Sequence, residues 1–119
     1  MAVFSQQLLS GSTNGRVIPV VATATAGTLV HTAIAGTTDF DRIYLWAVNV
    51  TGSAATLTIE YGGVTDPGDH LVKAYSIVAN SAPILLIDGA VLRNTLVVRA
   101  FSGTASAINV FGHVIRVTT

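Results

Sequence analysis

Cysteine is absent from this 119-residue chain, so no disulfide, thiol nucleophile or thiolate metal site can form, and thiol usage says nothing about compartment. Charge is scarce as well. Six Lys and Arg balance six Asp and Glu, giving formal net charge zero, and a tenth of the residues are charged against a usual quarter. A nucleic-acid partner is not expected, because phosphate neutralisation needs clustered Lys and Arg that the chain lacks. Helical periodicity is missing too: no segment longer than two turns keeps a helical apolar spacing free of Gly and Thr. The longest stretch without Asp, Glu, Lys or Arg, residues 17–38, is broken by Pro19, Gly27, His31, Gly36 and six threonines, so it reads as two strands and not as a membrane span. The first ten residues have no basic region and no long apolar region, so no secretion signal is expected, and the sequon Asn49-Val50-Thr51 is read as unmodified.

What remains is apolar and rich in turns. Half the residues are hydrophobic, which excludes disorder and fits one domain with one core. With so little charge, one copy hardly repels the next, and the simplest physical resolution is that much of the surface is buried in an assembly. Turn signals punctuate the length: Asn14-Gly15, Gly36, Gly62-Gly63, Asp66-Pro67-Gly68-Asp69, Asn80-Ser81, Asp88-Gly89 and Ser102-Gly103. Between them lie runs of Val, Ile, Thr, Leu and aromatics, whose branched or flat side chains suit a pleated surface.

The alternation Thr56-Leu57-Thr58-Ile59-Glu60-Tyr61 predicts a half-buried antiparallel strand with Leu57, Ile59 and Tyr61 inward. Ile43-Tyr44-Leu45-Trp46-Ala47-Val48 and Ile84-Leu85-Leu86-Ile87 are apolar on both faces, so they read as central strands covered twice, the second cover being another subunit. Trp46, in the most apolar strand, is expected in the core. The runs over residues 96–101 and 108–117, joined through Gly103, read as a C-terminal hairpin. Gly52-Ser53-Ala54 with Leu57 and Ile59 is echoed at constant offset by Gly103-Thr104-Ala105 with Ile108 and Val110, a similarity to which no function attaches. Residues 1–15 form a polar stretch around Leu8-Leu9 and are expected as a flexible N-terminal arm. Such an arm either frays or lies across a neighbouring subunit with Phe4, Leu8 and Leu9 as anchors. The domain proper is then residues 16–119.

Catalytic chemistry finds few parts. His31, His70 and His113 fall on separate elements and no Gly-x-Ser-x-Gly elbow occurs, so no catalytic residue is assigned and no enzyme is expected. No His-Glu-x-x-His pattern exists, and Asp66-Pro67-Gly68-Asp69-His70 has too few oxygen ligands for a calcium loop, so it reads as a turn and no metal or cofactor is assigned. Gly62-Gly63 has no helix to open and cannot form a phosphate cradle. Trp46, Tyr44, Tyr61 and Tyr75 could serve carbohydrate stacking if exposed beside a carboxylate or amide. Arg99 and Arg116 interrupt apolar strands, either as a solvated face with snorkelling stems or as partners of carboxylates such as Asp39, Asp41 or Glu60 across an interface.

The runs Leu9-Ser10-Gly11-Ser12-Thr13-Asn14-Gly15-Arg16, Thr28-Leu29-Val30-His31-Thr32-Ala33, Tyr44-Leu45-Trp46-Ala47-Val48-Asn49, Leu57-Thr58-Ile59-Glu60-Tyr61-Gly62-Gly63 and Leu96-Val97-Val98-Arg99-Ala100-Phe101 together resemble small β-rich virion proteins of tailed bacteriophages. In general build the chain is similar to capsid cement or decoration proteins. The resemblance implies a compact β domain that clamps capsid subunits, often as a trimer, inside a particle assembled in the host cytoplasm. The expectation is therefore an all-β antiparallel sandwich, jelly-roll-like with about eight strands. Its expected work is that of a non-enzymatic virion structural protein stabilising a phage head. Its partners are then the major capsid protein or other virion proteins and sister copies, with no membrane. Expected interface residues are Phe4, Leu8, Leu9, Arg99 and Arg116. A head-to-tail adaptor, a tail or fibre-base component, or a carbohydrate-binding receptor module are the alternatives.

Overall fold

The computed structural model describes residues 2–119. The strands are β1 (Val3–Leu8), β2 (Ile18–Pro19), β3 (Thr28–Thr32), β4 (Phe40–Asn49), β5 (Ala55–Tyr61), β6 (His70–Ile77), β7 (Ile84–Leu92), β8 (Val97–Ser102) and β9 (Ile108–Thr118), with no helix among the described residues. Sheet A has the order β1-β9-β4-β7, with the short β2 also on β9, and sheet B has the order β3-β8-β5-β6. All pairings are antiparallel. The first half of the chain pairs with the second half in reverse: β1 with β9, β3 with β8, β4 with β7, β5 with β6. A long hairpin rolled up in this way, and closed by the contacts β9–β4 and β8–β5, is a jelly roll.

Alternation along each strand makes the two layers. On β4, Asp41, Ile43, Leu45, Ala47 and Asn49 point into the sandwich and are buried, while Phe40, Arg42, Tyr44, Trp46 and Val48 point away and are half-buried. On β5 Leu57 and Ile59 face inward as expected and lie fully buried in one core with Val30, Val98, Ala100, Leu45 and Ile43, but the strand is not half-buried, since Thr58 and Glu60 on its outward side are buried too. Burying one such Leu or Ile contributes roughly 1.5–3 kcal/mol, so this inner layer holds the sandwich. Gly112 sits where β9 crosses β4, and a Cβ there would run into the Tyr44 carbonyl, so the close approach requires glycine.

Three expectations change. The polar segment over residues 1–15 is not a free arm in this structure: Val3–Leu8 pairs with Thr118–His113 as the edge of sheet A, and Leu9 is buried in the core. Its inward side chains are the polar Ser5 and Gln7, which is why composition alone reads it as unstructured. The C-terminal runs are not a hairpin, because β8 lies in sheet B and β9 in sheet A, and residues 103–107 cross between the layers. Trp46 is not in the core. In a strand apolar on both sides the period cannot say which side faces inward, and here Ile43, Leu45 and Ala47 take that side while Tyr44 and Trp46 face out.

The segment between β1 and β2 leaves sheet A and closes the open side of the sandwich. Ser10 and Gly11 reach β3 in sheet B through Gly11 N–H to the Val30 carbonyl (2.9 Å) and Thr32 N–H to the Ser10 hydroxyl (2.7 Å).

Candidate functional site

The outer face of sheet A gathers three of the four phenylalanines, the single tryptophan and one of three tyrosines. Register explains how. Trp46 lies opposite Phe111 and Tyr44 opposite His113 across the β4–β9 boundary, so side chains two apart on each strand become a two-by-two block of rings. Trp46 and Phe111 stack with centroids 5.8 Å apart and planes 11° apart, Tyr44 and His113 at 5.0 Å and 17°, and Trp46 and His113 at 6.0 Å. These separations are close to the spacing of the strands themselves. The rings therefore stand up from the sheet face to face and turn their edges outward. Gly89, at φ 87° in a bulge of β7, leaves room for the Tyr44 hydroxyl, which a Cβ there would approach to 3.2 Å.

Around the block lie Phe4 (59 % exposed) and Leu8 (58 %) on β1, Ile115 and Val117 on β9, and Leu85 (43 %) and Val91 (53 %) on β7. Phe4 also sits under the Arg42 guanidinium, 5.6 Å from ring centroid. Past Phe40 and Val91 the face runs into an open groove of about 440 Å³, with Leu92 and Leu96 among its lining residues. A rigid, mainly apolar surface of this kind supports contact with another apolar surface. It suits sugar stacking poorly, since the ring faces within each pair already meet one another.

The other outer face is more polar and partly covered by the chain itself. Glu60 points outward from sheet B yet is buried, because Thr25 and Gly27 fold onto its carboxylate and Thr25 also meets the Val64 carbonyl, while Thr58 is buried against Ala74 of β6. The Glu60 carboxylate accepts the Gly27 N–H at 2.7 Å and the Thr25 hydroxyl, and Thr58 accepts the Ala74 N–H at 2.9 Å. Gly27 packs so tightly on β8 that a Cβ would come within 2.8 Å of the Ala100 backbone. Arg99 lies across from Glu60 but donates to the Gly27 carbonyl (3.2 Å), anchoring the same loop. Asp69 caps its turn by accepting the Thr65 N–H, as the turn reading of that segment requires, and Lys73 donates to Asp66 at 2.7 Å. His70 packs edge-on to Phe101, and neither of its ring nitrogens has a hydrogen-bond partner.

Between the sheets lies a buried polar cluster. Asp41 accepts from Arg116 through both oxygens (2.8 and 3.0 Å), from the Ile34 N–H (3.2 Å), and from His31 Nε2 at 2.7 Å. His31 Nδ1 accepts the Ser10 N–H at 3.0 Å, which fixes the proton of a neutral His31 on Nε2, where it is donated to Asp41. Burial works against the Asp41 carboxylate, but the hydrogen bonds from Arg116 and His31 outweigh it and hold its pKa below the ordinary value. Ser, His and Asp thus meet without forming a nucleophilic site: Ser10 offers His31 its backbone N–H, while its hydroxyl accepts from Thr32. Burial likewise pushes the unpartnered Tyr61 hydroxyl up to about 12. No group of three or more His, Asp or Glu among the described residues is placed to hold a metal ion.

The residues expected at an interface are thus dispersed. Phe4 and Leu8 lie exposed on the aromatic face, Leu9 is in the core, Arg116 is bound to Asp41 within the chain, and Arg99 ties down a loop over sheet B. Sequence reasoning missed Arg42, Asp88, Phe111 and His113 as members of the face. The period-two spacing of Tyr44 and Trp46 and of Phe111 and His113 carried the signal, but only the β4–β9 register sets the pairs side by side. No protein-family model, curated protein or solved structure matches the chain.

Proposed function

We propose that this protein is a non-enzymatic structural subunit of a tailed-phage particle, a capsid cement protein that stabilises the head through subunit contacts, with the outer face of sheet A buried against a capsid subunit or a sister copy. The observation that carries the contact role is the edge-on block of Tyr44, Trp46, Phe111 and His113, flanked by exposed Phe4, Leu8, Leu85 and Val91. A monomer gains little from such a surface, whereas an assembly repeating one contact by symmetry gains at every copy. Near-zero charge supports the same reading. The phage particle enters through the sequence resemblance, and the jelly-roll fold is compatible with it, being shared by viral capsid and lectin domains.

The carbohydrate-binding alternative has one observation in its favour, the position of Tyr44 and Trp46 at the surface near Asp88 and Asn109. The stacking of the rings on each other counts against it. Cryo-EM reconstruction of particles containing the chain tests the proposal. Density over the capsid lattice, with the aromatic face covered, is the expected result. Density confined to portal or tail would replace the cement role by the adaptor or tail role, and absence from the particle would overturn the virion reading.

A further inference from the structure

We infer that the aromatic face of sheet A binds a second copy of the same chain, face to face about a two-fold axis. The charges on the face point to this occupant. On the strands of the face, apart from His113, they are Arg42 and Asp88, of opposite sign, on neighbouring strands β4 and β7, while Arg93 in the adjoining groove donates to the Thr37 carbonyl of its own chain. Arg42 is opposite Val91 and Asp88 opposite Tyr44, so the two stand in adjacent rows. Among the described residues neither forms an ion pair within the chain. Asp88 is exposed, and the Arg42 guanidinium lies over the Phe4 ring.

A two-fold axis lying in the plane of the face, across the midpoint between these residues, sets Arg42 of each copy opposite Asp88 of the other. The face is therefore its own electrostatic complement, and the same operation lays aromatic block and apolar rim against their counterparts. A heterologous ring, such as a trimer, would need a second, different patch to receive this one. The remaining broad surface, the outer face of sheet B, carries Arg99, Thr58 and Glu60 among its apolar residues Leu29 and Phe101, and Thr25 and Gly27 fold onto Glu60, so it lacks a ring block to receive this one.

Size agrees. Four strands about 4.8 Å apart and roughly 30 Å long give on the order of 500 Å² of projected area. Corrugated by upright rings and extended by Phe40 and the adjoining groove, that approaches the about 800 Å² per partner of an ordinary stable interface. The absence of net charge means that no long-range repulsion opposes the approach of two copies.

This inference rests on the reading of the face as a contact surface, and not on the particle in which it serves. Its test is the mass of the purified full chain by analytical ultracentrifugation at low salt over a dilution series. A dimer is expected. Because symmetry doubles every contact, Arg42→Asp or Asp88→Arg alone turns two attractive pairs into two repulsive ones, and each is expected to weaken the dimer by about tenfold or more. The double variant Arg42→Asp/Asp88→Arg should return to within about threefold of the parent. Trp46→Ser should abolish the dimer while circular dichroism shows the β domain intact. A parent chain that stays monomeric, a trimer, or a dimer indifferent to both single reversals would overturn the inference. If the chain proves monomeric but particles show the face seated on a capsid subunit, the second copy fails as occupant while the proposed function stands.

Discussion

The two outer faces of this jelly roll solve the same problem in opposite ways. Both sheets turn one side to the core, and both leave the other side to be dealt with. Sheet B covers part of its outer face with the chain's own residues: the segment holding Thr25 and Gly27 folds onto the Glu60 carboxylate, and Thr58 is satisfied by Ala74 of the neighbouring strand β6. Sheet A has no such cover, and its rings stand against one another with their edges to solvent. The difference teaches that exposure and apolarity on one face are not a failure of folding here, since the same chain buries even a carboxylate on the other. An uncovered aromatic face beside a more polar, partly self-covered one is the observation on which the proposed contact rests.

Four substitutions sharpen this contrast, the largest effect first. Asp41→Ala removes the acceptor shared by Arg116 and His31, leaving the part-buried guanidinium and the buried His31 Nε2 without their partner. The expected cost is about 3–5 kcal/mol, read from denaturant melts. The same carboxylate makes stability acid-sensitive. Its pKa is lower folded than unfolded, so its contribution is complete above the unfolded value near 3.8 and is lost as pH falls through the folded one. The parent should therefore lose melting temperature more steeply below about pH 4 than Asp41→Asn does.

Glu60→Ala acts on the self-covered face. It leaves the Gly27 N–H without its acceptor and is expected to cost about 1–3 kcal/mol while leaving association unchanged. Trp46→Ala reverses the pattern: a loss near 1 kcal/mol from the broken stack, seen in thermal melts, with a marked loss of association by sedimentation. If Trp46→Ala destabilised the fold more than Glu60→Ala did, the contrast between the faces would be broken. Lys73→Ala, which removes a solvent-exposed partner of Asp66, should leave the melting temperature unchanged at neutral pH. It should shift only the acid limb, because the Lys73 hydrogen bond is the main influence holding the Asp66 carboxyl low.

Local pattern made the all-β class legible, while the jelly-roll expectation accompanied the family resemblance and is settled by the strand order. Alternation over residues 56–61 placed Leu57 and Ile59 correctly, and the turn at Asp66-Pro67-Gly68-Asp69 falls between β5 and β6. Pairing was not legible. A strand after Gly103 can return beside β8 or cross to the other layer with the same local sequence, and only the contacts of β9 with β1 and β4 decide. Nor could period two orient Ile43-Tyr44-Leu45-Trp46-Ala47-Val48, where both sides are apolar. The choice follows from tertiary packing, which puts the smaller, branched side inward and the rings outward. Asp41 was anticipated as a partner of an arginine, but across an interface. It binds Arg116 within the chain because β4 and β9 are adjacent and in register at those two residues.

The measurement that bears most directly on the contrast between the faces is hydroxyl-radical footprinting of the full chain, dilute and then in its associated state. Tyr44, Trp46 and Phe111 should be reactive when dilute and protected on association, while Tyr75 on the edge strand of sheet B stays equally reactive in both. Protection of Tyr75 with no change at Trp46 and Phe111 would contradict the assignment of the aromatic face as the contact surface.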